Sequence, residues 1–157
     1  MTRGYGRRLL LDWSAYARVL LAYRNGPGGG RLTAAQLSRF EEAALDGDLV
    51  VSPPFRMEAL YSATGARDFR ELREELDGFD QAVADATTWD VAILAQETLA
   101  ATRGVSHRVK LADLLVAAIA HQRGLGVLHY DKDYATIAAR ARLELEDVWI
   151  APRGSVD

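Results

Sequence analysis

Short apolar runs alternate along the chain with longer segments whose apolar residues recur every three to four positions. Leu9–Leu11 is the first run; it is too short for a helix and predicts a buried strand. Ser14 to Tyr23 follows, with Ala15, Val19, Leu20 and Tyr23 at helical spacing, and the turn NGPGGG (Asn25 to Gly30) stops it. Thr33 then caps a second amphipathic helix carrying Leu37, Phe40 and Leu45. Leu49–Val51 reads as the next strand, and Ser52, Pro53 and Pro54 start a helix bearing Phe55, Met57, Leu60 and Tyr61.

Arg67 to Ala84 is charge-rich, with Phe69, Leu72, Leu76, Phe79 and Val83 on one helical stripe, and Trp89 to Thr102 repeats that pattern with Val91, Ile93, Leu94 and Leu99. Leu111 to Gln122 is apolar nearly all round, which predicts a helix packed between other layers, ended by Gly124. Leu125 to His129 reads as a strand, Tyr134 to Arg142 as a helix and Leu143 to Ile150 as an edge strand. Strands alternating with helices imply a mainly parallel sheet covered on both faces, a three-layer α/β/α sandwich. One domain is expected over residues 1–157, with its core at about 7–150 and a loose tail, APRGSVD.

Composition narrows the function classes. With 49% hydrophobic residues the chain can bury a core, and having no cysteine it offers no disulfide and no zinc–thiolate site. The start, MTRGYGRRLLLDW, has a three-leucine run that falls far short of a signal peptide or membrane span, so a cytoplasmic protein is expected. Twenty-two acids against nineteen bases give a net charge of −3, which is no basic footprint of a nucleic-acid binder. A nuclease that works through bound cations is not excluded, because the ions reverse the local field of its acids.

Four acidic positions stand out. Asp12 follows the first strand, at the carboxyl end where ligands collect in open α/β sheets, although an N-cap would sit there too. Asp113 heads the apolar helix, where the dipole alone favours a carboxylate. Asp131 and Asp133 flank Lys132 at the end of another strand, and either suits a cap. Glu58 has Phe55 and Tyr61 as helical neighbours, and a solvated glutamate is the alternative. Together they place acids at the strand-to-helix turns of one sheet edge. Packed carboxylates raise one another's pKa, whereas hard divalent cations prefer carboxylate oxygens, so the set reads as a Mg²⁺ or Mn²⁺ site.

Three segments resemble the PIN-domain ribonucleases: LLLDWSAYARVLL, PPFRMEALYSA and, most specifically, LADLLVAAIAHQRGLGVLHYDKDYATIA. Within that family the chain is similar to the VapC toxins of bacterial toxin–antitoxin pairs. The resemblance spans most of residues 7–150 and implies metal-binding acids at Asp12, Glu58 and Asp113, a fourth at Asp131 or Asp133, and a hydroxyl at Ser14. It implies cleavage of RNA by metal-activated water, a small cognate antitoxin and a homodimer. Trp13 departs from the pattern, since a small hydroxyl residue commonly follows the first aspartate; the ring bears on substrate preference.

His107, Arg108, Lys110 and Lys132 are candidates for gripping substrate phosphates, and Arg7 and Arg8 for a positive rim, though solvated loop residues look the same in sequence. His129 is expected to pack at its strand end. A phosphoryl-receiving domain would need an adjacent acid pair after the first strand, and a haloacid-type phosphatase an aspartate at position 14, which is serine. No phosphate-binding P-loop motif occurs. A catalytically weak PIN-fold binding or scaffold module and a related DNA nuclease are the remaining alternatives.

Overall fold

A computed structural model of the chain describes residues 4–157, so the first three residues of the expected domain lie outside the described residues. The strands β1 (Leu9–Leu11), β2 (Leu49–Val51), β3 (Asp80–Gln81), β4 (Gly126–His129) and β5 (Asp147–Trp149) form one sheet in the order β3-β2-β1-β4-β5. Every neighbouring pair is parallel. The helices are α1 (Trp13–Asn25), α2 (Ala34–Leu45), α3 (Pro53–Tyr61), α4 (Ala66–Asp77), α5 (Ala86–Ala101), α6 (Leu111–Arg123) and α7 (Lys132–Arg140).

Strand periodicity divides the core into two. Leu9, Leu11, Leu49, Val51 and Leu128 pack one face of the sheet against α1–α4, while Leu10, Val50 and Val127 pack the other against α5–α7. The all-apolar reading of α6 is explained by this second core, in which Val116 to Ala120 are wholly buried. Gly124 ends that helix with a left-handed φ of 66°, and at Gly126 a Cβ would lie 2.7 Å from a Leu9 methyl carbon. The chain winds from β1 outward to β2 in one direction and later returns to place β4 on β1's other side. The crevice of such a sheet opens at that reversal, above the carboxyl ends of β1 and β4. No helix of the described residues is long and apolar enough to cross a membrane.

Several sequence expectations are corrected. The helix expected over Arg67 to Ala84 stops at Asp77 because Gly78 caps it, and Phe79 turns into the first core. Asp80–Gln81 then adds a short edge strand to β2, too polar for an apolar pattern to flag, and Val83 is exposed. Helix α5 starts at Ala86, earlier than Trp89, through a capping box between Asp85 and Thr88; Trp89, Ile93 and Leu94 point to solvent. Met57 and Tyr61 of α3 are likewise exposed. Helix α7 begins at Lys132, earlier than Tyr134, under an Asp131 cap, and the last strand shrinks to Asp147–Trp149.

The tail expected to be loose is docked. Ala151 is buried, Val156 exchanges two hydrogen bonds with the Tyr130 hydroxyl at 2.9 and 3.0 Å, and the Asp157 amide donates to Gly30.

Candidate metal centre

Each acid is set by a short local rule. Asp12 is the first residue past β1, and its Oδ2 accepts from the Ser14 amide at 2.9 Å and from the Ser14 hydroxyl, so it does cap α1. The same side chain is only 2% exposed and faces the crevice acids. Asp113 lies in the first turn of α6, where the helix dipole favours it, and is 2% exposed as well. Glu58 is half-buried on α3, whose start is fixed by Pro53 and Pro54. Capping and clustering are therefore two uses of one placement for Asp12.

Carboxylate oxygens of Asp12, Glu58 and Asp113 all lie within 4.8 Å of one another, and so do those of Asp113, Asp131 and Asp133. Asp113 belongs to both triads. Glu58 Oε1 and Asp113 Oδ2 are buried without any hydrogen-bond partner among the described residues. Buried acceptors of this kind are rare in native proteins unless another species satisfies them. An all-oxygen donor set suits a hard divalent cation.

The charges behave accordingly. Burial, then the nearby charges of Asp12 and Asp131, push the Asp113 carboxyl up to about 8, with Lys110 opposing. Glu58 is raised by burial and by Asp12, and Asp133 by burial and by Asp131. Burial disfavours charge on the Lys110 ammonium, but its 3.3 Å hydrogen bond to Asp131 Oδ2 and the field of the other acids outweigh this and raise its pKa.

The PIN domain family model matches residues 19–140, most of the chain. The chain belongs to the PIN domain family. It is 41% identical over 116 residues to Ribonuclease VapC18 of Mycobacterium tuberculosis, covering 73% of this chain and 83% of that one. It is 34% identical over 129 residues to Ribonuclease VapC17 of the same species, covering 82% of this chain and 86% of the relative. Among solved structures, DNA-bound VapBC from Salmonella typhimurium superposes with a TM-score of 0.66 at 16% identity, covering 92% of this chain and 99% of that one. VapBC2 from Rickettsia felis, bound to a promoter DNA fragment, gives 0.59 at 14% identity, covering 88% and 98%.

In this PIN domain the other candidates divide. Ser14 ties the centre together, since its hydroxyl also accepts from the Tyr130 amide at 2.8 Å. Lys110 reaches Asp131, whereas Arg108 and Lys132 line a separate cleft of about 480 Å³ that opens beside Asp133. His107 is exposed in the same loop and makes no hydrogen bond among the described residues. Arg7 and Arg8 supply no rim: they precede β1, at the opposite end of the strand from Asp12, and pair with Glu146 and Asp80.

Two participants escaped the sequence. Tyr134, wholly buried, donates its hydroxyl to Asp12 Oδ1 at 2.6 Å and lies 3.3 Å from Asp113 Oδ1. A phenol has one proton to give, so the second contact is met when Asp113 is itself protonated and donates. His129, also wholly buried, sits between the Tyr134 and Trp149 rings, accepts from the Asp131 amide at Nδ1 and meets Asp147 through Nε2 at 3.1 Å. Burial lowers its pKa despite Asp147, and the accepting Nδ1 fixes the neutral ring with its proton on Nε2. In the sequence Tyr134 stood only as the first residue of a predicted helix; its place directly after the cluster acid Asp133 was the available signal.

Proposed function

We propose that this protein is a metal-dependent endoribonuclease and the toxin of a toxin–antitoxin pair. The observation that carries the reading is the pair of carboxylate triads sharing Asp113, in a chain 41% identical to a ribonuclease VapC. Asp12, Glu58 and Asp113 would hold one Mg²⁺ or Mn²⁺, and Asp113 with the β4–α7 acids a second, weaker one. Asp133 is the better second-site ligand, because both Asp131 oxygens are engaged, one by the Asp133 amide and one by Lys110.

When bound, the cation lowers the pKa of water and neutralises charge on the phosphate and leaving oxygen. The protein's own groups do the rest. Glu58, with one unpartnered oxygen and a raised pKa, orients the attacking water and takes its proton. Tyr134 and Ser14 hold Asp12 in a single orientation from opposite oxygens. Lys110 keeps Asp131 turned toward the centre and offsets the repulsion an incoming phosphate meets.

Relatives and surface support the partners. Solved neighbours with this fold are VapBC complexes, which supports a cognate antitoxin whose arginine forks onto the unpartnered oxygens of Glu58 and Asp113 in competition with metal. Met57, Tyr61, Trp89, Ile93 and Leu111, all more than half exposed, give α3, α5 and α6 an apolar face suited to a homodimer. The enzyme acts in the cytoplasm, where RNA and antitoxin are made. Purified protein incubated with structured RNAs should cleave them in Mn²⁺ and stop in excess EDTA. Cleavage that survives chelation refutes the metal mechanism.

A further inference from the structure

The docked tail and the loop before α6 build a feature that the acid centre does not use. The cleft of about 480 Å³ runs between loop 104–109 and the outer face of α7, and Arg108, Lys132, Arg140 and Arg153 all line it. All four are exposed, and none has a carboxylate partner among the described residues, whereas Arg7, Arg8, Arg56 and Lys110 are each ion-paired. Ala135, Ala139 and Gly104 keep the floor shallow, and the Ser106 and Thr136 side chains add hydroxyls. Asp133 lines one end of the cleft and is also a member of the second carboxylate triad. Arg153 comes from the tail, anchored beyond it through Val156 and Tyr130.

We propose that this cleft is a binding track for consecutive backbone phosphates of a single-stranded RNA, delivering the strand to the acid centre past Asp133. The proposal rests on the ribonuclease reading and adds where the strand runs and which residues hold it. Convergent unpaired cations in a protein of net charge −3 concentrate positive potential at one place, which attracts a polyanion regardless of its base sequence. Helix α7, nine residues long, spans about 13 Å at about 1.5 Å per residue. An extended single strand laid along that length brings more than one of its phosphates against the cleft. An acidic protein segment would also suit four cations, but the cleft shares Asp133 with the second carboxylate triad, and a strand must leave that centre somewhere.

The probe is a labelled oligo(U) of about twelve nucleotides, its affinity followed by fluorescence anisotropy in Ca²⁺ from about 50 to 200 mM KCl, with gels confirming that it stays intact. Arg140→Gln and Arg153→Gln should each weaken binding several-fold and reduce the slope of log K against log salt by about 0.7, the value of one single-strand phosphate contact. The double variant should lose both increments, and an abasic chain of equal charge should respond identically. Arg70→Gln, on α4, should change nothing. The substituted side chains are exposed, so melting temperatures should match wild type. An unchanged salt slope in the double variant overturns the track. So does tighter binding of oligoglutamate than of oligo(U), which reassigns the cleft to an acidic protein partner. Failure of the wild type to bind either nucleotide chain instead refutes the ribonuclease reading itself, and the track falls with it.

Discussion

Raising the pH of the metal-free protein from about 6.5 to 8 forces charge onto Asp113 inside a site that resists it, and fold stability registers the cost. Asp12 faces Asp113 from the β1–α1 turn, Glu58 from α3, Asp131 and the Tyr134 phenol from β4–α7, and Lys110 from the loop before α6. Of the charged side chains, only Lys110 favours ionisation. The folded carboxyl holds its proton up to about 8, against 3.8 for the free group. Throughout this window the native state binds a proton that the unfolded chain has lost, so stability falls as pH rises, by at most about 1.4 kcal/mol per unit. His129, with its depressed pKa, opposes the trend only near the start of the window, where the unfolded chain still carries part of a proton on it, and adds nothing further up. Over one and a half units the loss approaches about 2 kcal/mol, or roughly 4–8 °C in melting temperature for a chain of this size. Glu58 and Asp133, both raised, act in the same direction.

The assay is a series of thermal melts at constant ionic strength in EDTA and again in Mn²⁺. Wild type should lose stability from pH 6.5 to 8 in EDTA and recover it in Mn²⁺, because the cation binds the ionised acids of the native state only. Asp113→Asn should be flatter in EDTA and gain less from Mn²⁺. Stability that is constant or rising across this window in metal-free wild type, or a slope untouched by Asp113→Asn, would show that Asp113 is ionised without help and that the cluster is not strained.

The remaining expectations concern single residues and cells. Asp12→Asn, Glu58→Gln and Asp113→Asn should each lower RNA cleavage at least a hundredfold, as in the removal of metal-binding or general-base groups, with circular dichroism unchanged; wild-type rates in all three would reduce the acids to caps. Tyr134→Phe should destabilise the fold by about 1.5–3 kcal/mol, the range for a hydrogen bond to a charged group, and weaken Mn²⁺ binding measured by calorimetry; loss of neither would make the Asp12 contact incidental. Expression of the chain alone should arrest bacterial growth, the neighbouring small gene should rescue it, and Asp113→Asn should need no rescue; unimpaired growth with the intact protein in its native host favours an inactive scaffold.

What was legible in the sequence was whatever periodicity or a cap encodes. The Leu9–Leu11 and Leu49–Val51 runs are strands because all six residues are buried, alternating between two cores, and Thr33 caps α2 as expected, through a capping box with Gln36. The acids were legible because strand ends in a parallel sheet converge, and β1 and β4 turned out to be neighbours. The edge strand Asp80–Gln81 was not, since both side chains are exposed and it exists only through backbone pairing to β2. Tyr134 was hidden for the opposite reason. Its ring obeys the core pattern, and only its hydroxyl, which no hydropathy pattern weighs, joins the centre. The tail read as loose because it is a short terminal segment with no apolar periodicity, yet it is held by the Tyr130 hydroxyl and by a backbone bond to Gly30.

Net charge misdirects for a related reason. A count of acids and bases treats every charge as equally available to a ligand, and here availability differs sharply by location. Arg7, Arg8 and Arg56 are neutralised locally by Glu146, Asp80 and Asp77, away from the crevice. The acids of the centre are buried or half-buried and, once cations bind, change sign as seen by a phosphate. The cations left over for a polyanion include the four that line the cleft beside Asp133. A protein with 22 acids and 19 bases can therefore present a positive approach to its own acidic centre. The two fields need one another: without metal the centre repels the strand that the cleft attracts, so binding and cleavage should both strengthen as the cation is supplied.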